Sequence, residues 1–189
     1  CVIPYRRGPE RSLPADDIVA EVSMLVRQGV KEVTLLGQIV DRYGCDQSPE
    51  RGVPESRLSN REASPLVGLL RRIHQIEGLE RIRFLTSHPL WMTDDLIDAV
   101  AELPKVCEHF EVPVQAGNDE VLARMRRGYT VSSYRDLVGR IRSKVPNASI
   151  ATDIIVGFPG ETKDQFQDTY DLLAELRLYR AHISRYFPR

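Results

Sequence analysis

Apolar residues along this chain alternate between helix-like and strand-like blocks, and that alternation predicts most of its elements. Behind Asp16 and Asp17, the residues Ile18, Val22, Leu25 and Val26 share one helical face, which Gly29 terminates. Residues 33–36 follow as a short buried strand. Ser64 and Pro65 supply an N-cap and a first-turn proline for a helix carrying Leu66, Leu69, Leu70 and Ile73, with Gly78 as its stop. Residues 82–85 form the next strand. Thr93 caps a helix bearing Leu96, Ile97, Val100 and Leu103 that Pro104 closes, and 109–114 reads as strand.

The second half continues in the same way. Asn118 precedes Val121, Leu122 and Met125; a helix with Tyr134, Leu137, Val138 and Ile141 follows, then a strand over 149–156. Thr162 and Gln165 form a capping box for a helix bearing Phe166, Tyr170, Leu173 and Leu176, and 181–186 is the last strand. Five strands separated by helices require a parallel sheet with helical crossovers. Periodicity leaves open whether that sheet is flat or curls into a barrel. Residues 44–64 collect Gly, Pro, Ser, Asn and charges and read as a surface insertion, not a domain boundary.

Composition narrows the class. At 189 residues the chain buries one full core, and its 42% hydrophobic and 28% charged residues are globular values. No apolar run reaches the roughly 20 residues of a membrane span and no leader pattern opens the chain, so the expectation is a soluble, cytoplasmic protein. The 26 Lys+Arg against 27 Asp+Glu exclude a domain that grips nucleic acid by bulk charge; such a partner needs a local patch or another part of the protein. Three widely spaced cysteines, at 1, 45 and 107, do not make a disulfide framework. Cys45, in a polar loop, and Cys107, beside an apolar strand, read as structural or incidental. Cys1 is either an ordinary residue or the last member of a ligand set whose other cysteines precede it.

Polar residues gather where strands end: Gly37-Gln38, Thr86-Ser87-His88-Pro89, Gln115-Ala116-Gly117-Asn118, and Gly157-Phe158-Pro159-Gly160-Glu161. In parallel α/β folds the carboxyl ends of the strands form the ligand face, so these clusters predict one binding rim over plain turn chemistry. His88 reads either as a base or ligand or as a turn residue before a helix. Asp153, inside an apolar strand, requires a partner and is either a satisfied structural group or a ligand contact. Arg124, Arg126 and Arg127 form a basic knot or a solvated helix end. Neither dinucleotide-loop spacing nor a P-loop lysine is present.

Taken together, Cys1 to Gly8, Leu35-Leu36-Gly37-Gln38, Arg81-Ile82-Arg83-Phe84, Thr86 to Pro89, Pro113 to Gly117, Met125 to Thr130 and Asp153 to Thr162 resemble the radical SAM core of the methylthiotransferases, in order over nearly the whole chain. Within that family the chain is most similar to the MiaB-type branch, which thiomethylates an adenosine beside the tRNA anticodon. The resemblance implies an α/β fold, a partial TIM-like (β/α)6 barrel whose first strand lies upstream of Cys1. Residues 1–189 are then one radical SAM core domain, with an N-terminal methylthiotransferase domain and a C-terminal RNA-binding module outside them.

It implies further that Cys1 is the third cysteine of a C-x-x-x-C-x-x-C loop holding a 4Fe-4S cluster, whose open iron takes the amino and carboxylate groups of S-adenosylmethionine (SAM). Reduction by an electron donor yields a 5'-deoxyadenosyl radical that abstracts hydrogen from the adenine, and a second 4Fe-4S cluster in the N-terminal domain delivers sulfur. Gly37 and Gln38 hold the methionine end of SAM. Ser87, Gln115 and Asp153 make polar contacts, Arg127 meets the carboxylate, and residues 155–158, including Gly157 and Phe158, pack the adenine with Tyr186. The partners implied are tRNA, mainly through the C-terminal module, and the electron donor; the full-length protein is expected to be a monomer. Two alternatives stay open: a methylthiotransferase of a ribosomal-protein aspartate, and a barrel that keeps the SAM-shaped rim without chemistry.

Overall fold

A computed structural model describes residues 8–47 and 64–187; Cys1 and most of the 44–64 insertion lie outside these residues. Helix α1 (Ala15–Arg27) leads into β1 (Glu32–Leu35), then come α2 (Pro65–His74), β2 (Arg81–Phe84), α3 (Asp94–Glu102) and β3 (His109–Glu111). Helices α4 (Asp119–Arg124) and α5 (Val131–Lys144), strand β4 (Ser149–Val156), helix α6 (Lys163–Leu176) and strand β5 (Arg180–Arg185) complete the order.

All pairings are parallel: β1 with β2, and β3 with β4 with β5. An Ile82–Val106 bridge and the Ser87 amide donating to the Glu111 carbonyl at 3.2 Å set β2 beside β3. The strands therefore run in consecutive order. A doubly wound sheet reverses its order at a switch point, whereas consecutive parallel strands are what a barrel wall requires. This settles the question that periodicity leaves open in favour of the barrel-like arrangement.

Alternation along the strands separates two faces. Val33, Ile82, Phe84, Phe110, Ile150 and Ile154 join the apolar cluster of the helices and are almost fully buried. On the other face Arg83, His109, Glu111, Ser149, Arg180 and His182 line a cavity of about 560 Å3. Inside the helix-covered core, the buried Tyr134 hydroxyl donates to the Val112 carbonyl at 2.9 Å, and the Thr152 hydroxyl oxygen accepts the Val114 amide, also at 2.9 Å. That side-chain bond explains why β3 stops at Glu111 and not at residue 114. Pro113 has no amide to donate and Val114 gives its own to Thr152, so the regular ladder is interrupted.

Other local expectations change for physical reasons. Asn118 and Thr162 cap α4 and α6 with their side chains, and Thr130 adds a capping box at α5. Ser64 and Thr93 make no capping bond. The inward face of α6 carries Thr169, Leu172 and Leu176, leaving Phe166 and Tyr170 exposed. Thr169 faces inward because its hydroxyl accepts the Gly117 amide at 2.8 Å, which fixes the helix rotation. Cys45, expected in a polar loop, is buried; it and Cys107 are free thiols.

Candidate functional site

The segments after the strands are linked to one another by hydrogen bonds. Val40 donates its amide to the Thr86 carbonyl at 3.1 Å, and the Thr86 hydroxyl donates to the Gly37 carbonyl at 2.5 Å. These bonds place Gly37 and Gln38 against the turn that holds Ser87. Thr86 has φ 65°, a conformation unfavourable for a β-branched residue, and the Glu111 carboxylate accepts its amide at 3.2 Å. Gln115, also at positive φ (75°), sits between neighbours of β4: its amide donates to the Asp153 carbonyl at 2.9 Å and its carbonyl accepts the Ile155 amide at 3.0 Å. At the far end, the Tyr186 amide donates to Val156, and the Tyr186 ring meets Phe158 edge-on at 5.2 Å.

Gly117 shows how closely the loop after β3 is pressed to its neighbour. A Cβ there would lie 2.5 Å from the Thr169 Cα, a contact only glycine permits.

Electrostatics couple the two halves of the rim through Arg127. Burial, then the nearby Glu111, raises the Asp153 carboxyl above its usual range, while His182 and Arg127 oppose that shift. Burial, then Arg127 and Arg42, lowers His88 to about 4. His88 is therefore neutral at physiological pH, and its Nδ1 accepts the Leu90 amide at 3.3 Å, which leaves Nε2 to carry the proton. The ring packs edge-on against Tyr129 at 5.5 Å, which fits the turn-residue reading of His88.

Two donors on this rim have no partner among the described residues: the buried Ser87 hydroxyl and the buried Nε of Arg127. Buried polar groups are satisfied almost everywhere in folded proteins, so these two donors, which face the rim among the six such atoms in the described residues, are available to a ligand. With the buried Gln115 amide, the half-buried Asp153 carboxylate and the Phe158–Tyr186 pair, the rim offers polar groups toward one end and flat apolar surface toward the other. That combination suits a molecule with a charged head and an aromatic ring. Of the arginine knot, Arg124 is spent on the Gly160 carbonyl and Gln165, at 3.1 and 3.0 Å, and Arg126 is exposed. The candidate ligand Cys1 lies outside the described residues, among which no cluster of His, Cys, Asp or Glu could hold a metal ion.

Sequence reasoning missed Asp41, whose buried carboxylate accepts the His88 amide at 3.0 and 3.2 Å, and Glu111, which holds Thr86. Alternation within β3 could have placed Glu111 on the inner face. No local signal marks Asp41.

A family model described as the radical SAM superfamily matches residues 1–173. The chain belongs to the radical SAM superfamily. Among curated proteins it is 52% identical over all 189 residues to the tRNA-2-methylthio-N(6)-dimethylallyladenosine synthase of Roseiflexus sp. (strain RS-1), covering 37% of that protein. The synthase of the same name from Chloroflexus aurantiacus is 51% identical over the whole chain, which covers 38% of it. That of Dehalococcoides mccartyi (strain CBDB1) is 49% identical, with 42% covered. The chain thus spans about two fifths of the length of these curated relatives. Among solved structures, the radical S-adenosylmethionine methyltransferase TsrM from Kitasatospora setae, with cobalamin and a [4Fe-4S] cluster bound, superposes with a TM-score of 0.64. At 18% identity over 94% of this chain and 31% of that one, it supports the radical SAM fold alone. No helix among the described residues is long and apolar enough to cross a membrane.

Proposed function

We propose that this chain is the radical SAM core of a cytoplasmic, monomeric methylthiotransferase that adds a methylthio group to an adenosine beside the tRNA anticodon. The observation that carries the reading is 49–52% identity, over the entire chain, to synthases named for that product. Their names give a 2-methylthio-N(6)-dimethylallyladenosine as the product, so we take the N(6)-dimethylallyladenosine nucleoside of tRNA as the substrate.

The residues present fit SAM. The orphaned Ser87 hydroxyl and Arg127 Nε supply donors for the carboxylate of its methionine end, beside Gly37 and Gln38. Gln115 adds a buried amide and Asp153 an acceptor for the amino group. The backbone at Gly157 and the Phe158–Tyr186 pair offer a slot for the adenine. Cys1, with two cysteines preceding it, would hold a 4Fe-4S cluster through its thiolate. When bound, that cluster would supply the electron for reductive cleavage of SAM, the source of the radical chemistry of the family. This chain's contribution is to bind SAM in one orientation, with paired donors at one end and ring packing at the other.

An N-terminal domain with a second cluster and a C-terminal RNA-binding module complete the proposed enzyme, together with an electron donor. The near-neutral net charge of −1 agrees with tRNA affinity residing outside this segment. Mass spectrometry of tRNA nucleosides from a strain lacking the gene tests the proposal. Loss of the methylthio group with accumulation of its unmodified precursor, restored by the intact gene, is expected. An unchanged methylthio-adenosine level overturns it.

A further inference from the structure

Three successive residues after β1 each hold the segment that follows β2. Val40 reaches the Thr86 carbonyl and Asp41 takes the His88 amide; Arg42 lies over the Trp91 ring at 4.9 Å and pairs with Glu10 at 3.1 Å. The middle one is the anomaly. Asp41 is 1% exposed, and among the described residues no cation lies within ion-pair distance of it, because Arg42 is turned toward Trp91 and Glu10. Burying a carboxylate without an ion pair is costly, and the return here is one anchored amide.

That amide belongs to the peptide joining Ser87 to His88. Thr86, at positive φ, is held on one side by Gly37 and Glu111, and the His88 amide is held on the other by Asp41. Ser87, between them, is buried with its hydroxyl unpartnered among the described residues. A serine in a relaxed turn would satisfy its own hydroxyl on nearby backbone. This turn is fixed from both flanks, and the hydroxyl is left over.

We propose that Asp41 is a positioning residue of the cofactor site: its buried carboxylate anchors the Ser87–His88 peptide and so presents the Ser87 hydroxyl to the ligand on the rim. The assignment rests on the reading of that rim as a SAM site.

A double-mutant cycle on the full-length, cluster-reconstituted protein tests it, with the SAM dissociation constant measured by equilibrium dialysis and the thermal midpoint recorded for every variant. Asp41→Ala and Ser87→Ala are each expected to weaken SAM binding about tenfold, the worth of one well-placed hydrogen bond. Because Asp41 acts through Ser87, the double variant is expected to stay near the same tenfold. Asp41→Asn keeps an acceptor oxygen and is expected to bind within about threefold of wild type. If Asp41→Ala does not fold, Asp41→Ser, too short to hold the amide, takes its place in the same cycle. Unchanged affinity in Asp41→Ala, or losses that multiply to about a hundredfold in the double variant, overturns the assignment. A wild-type protein that binds no SAM overturns the reading of the rim itself, and with it this assignment.

Discussion

The turn after β2, Thr86-Ser87-His88-Pro89, and the turn after β4, Gly157-Phe158-Pro159-Gly160, look like equivalent strand-end clusters in sequence, but the fold builds them by different means. The first is held from outside, by Gly37, Val40, Asp41 and Glu111. The second holds itself. The Glu161 carboxylate accepts the amides of Gly157 and Phe158 at 2.6 and 3.2 Å, and Gly157 and Gly160 take positive φ without a side chain to strain. External holding leaves a threonine in the left-handed region and a serine hydroxyl unsatisfied; the self-contained turn contributes no buried unsatisfied side-chain atom among the described residues. Strain and unpaired donors persist where neighbouring structure over-determines them, so the two turns differ in how much of their geometry is committed to a ligand.

The largest effect that follows from this contrast belongs to the loop after β3, which is also held from outside. Gly117→Ala puts a Cβ 2.5 Å from the Thr169 Cα and 2.7 Å from the Asp168 carbonyl, both backbone atoms that cannot swing aside. We expect a loss of about 3 kcal/mol or more, with a matching fall in thermal midpoint. Gly157→Ala, with nothing within 4 Å and only its φ of 70° against it, should cost about 1 kcal/mol. Equal losses in the two variants would erase the distinction.

Much of this arrangement is legible in the sequence because local chemistry writes it. Period and punctuation locate the five strands, and the capping box at Thr162 holds because its partner Gln165 lies three residues away. What fails depends on distant partners. The Ser64 amide is drawn to the Asp95 carboxylate, 31 residues on, and α6 turns on a bond to Gly117, 52 residues back. The strand-end clusters reveal the rim since small and polar residues stand out against apolar strands. Asp41 stays hidden in a polar loop, its meaning set by His88, 47 residues later.

Asp41 also gives the externally held turn a pH signature that the other turn lacks. Burial raises its carboxyl from 3.8 to about 7, against the opposing pull of the His88 amide and Arg42. The unfolded chain releases this proton near 3.8 and the folded chain near 7, so the folded state holds the extra proton between them. Stability therefore falls as pH rises through that window and levels off above it. Asp41→Asn removes the titration, and its advantage over wild type should grow from nothing near pH 3.5 to about 2 kcal/mol at pH 8, with roughly 4 kcal/mol as a ceiling. Thermal midpoints of both proteins across this range measure it. A difference independent of pH would mean that the carboxylate is not held against its charge.

The smallest effect belongs to the self-contained turn. Glu161→Ala removes the single oxygen that gathers the Gly157 and Phe158 amides, but both donors lie near solvent and water replaces the lost acceptor. The stability loss should be about 1 kcal/mol or less. Its effect on SAM should also be modest: Phe158 keeps its edge-on contact with Tyr186, and the Tyr186 amide keeps its bond to Val156. About a threefold weakening is expected, smaller than the tenfold of Asp41→Ala, because only ring packing is loosened and no donor is lost. Dialysis of the two variants side by side decides the order. If Glu161→Ala weakens SAM more than Asp41→Ala does, the turn after β4 is the one committed to the ligand, and the contrast between the two turns runs the other way.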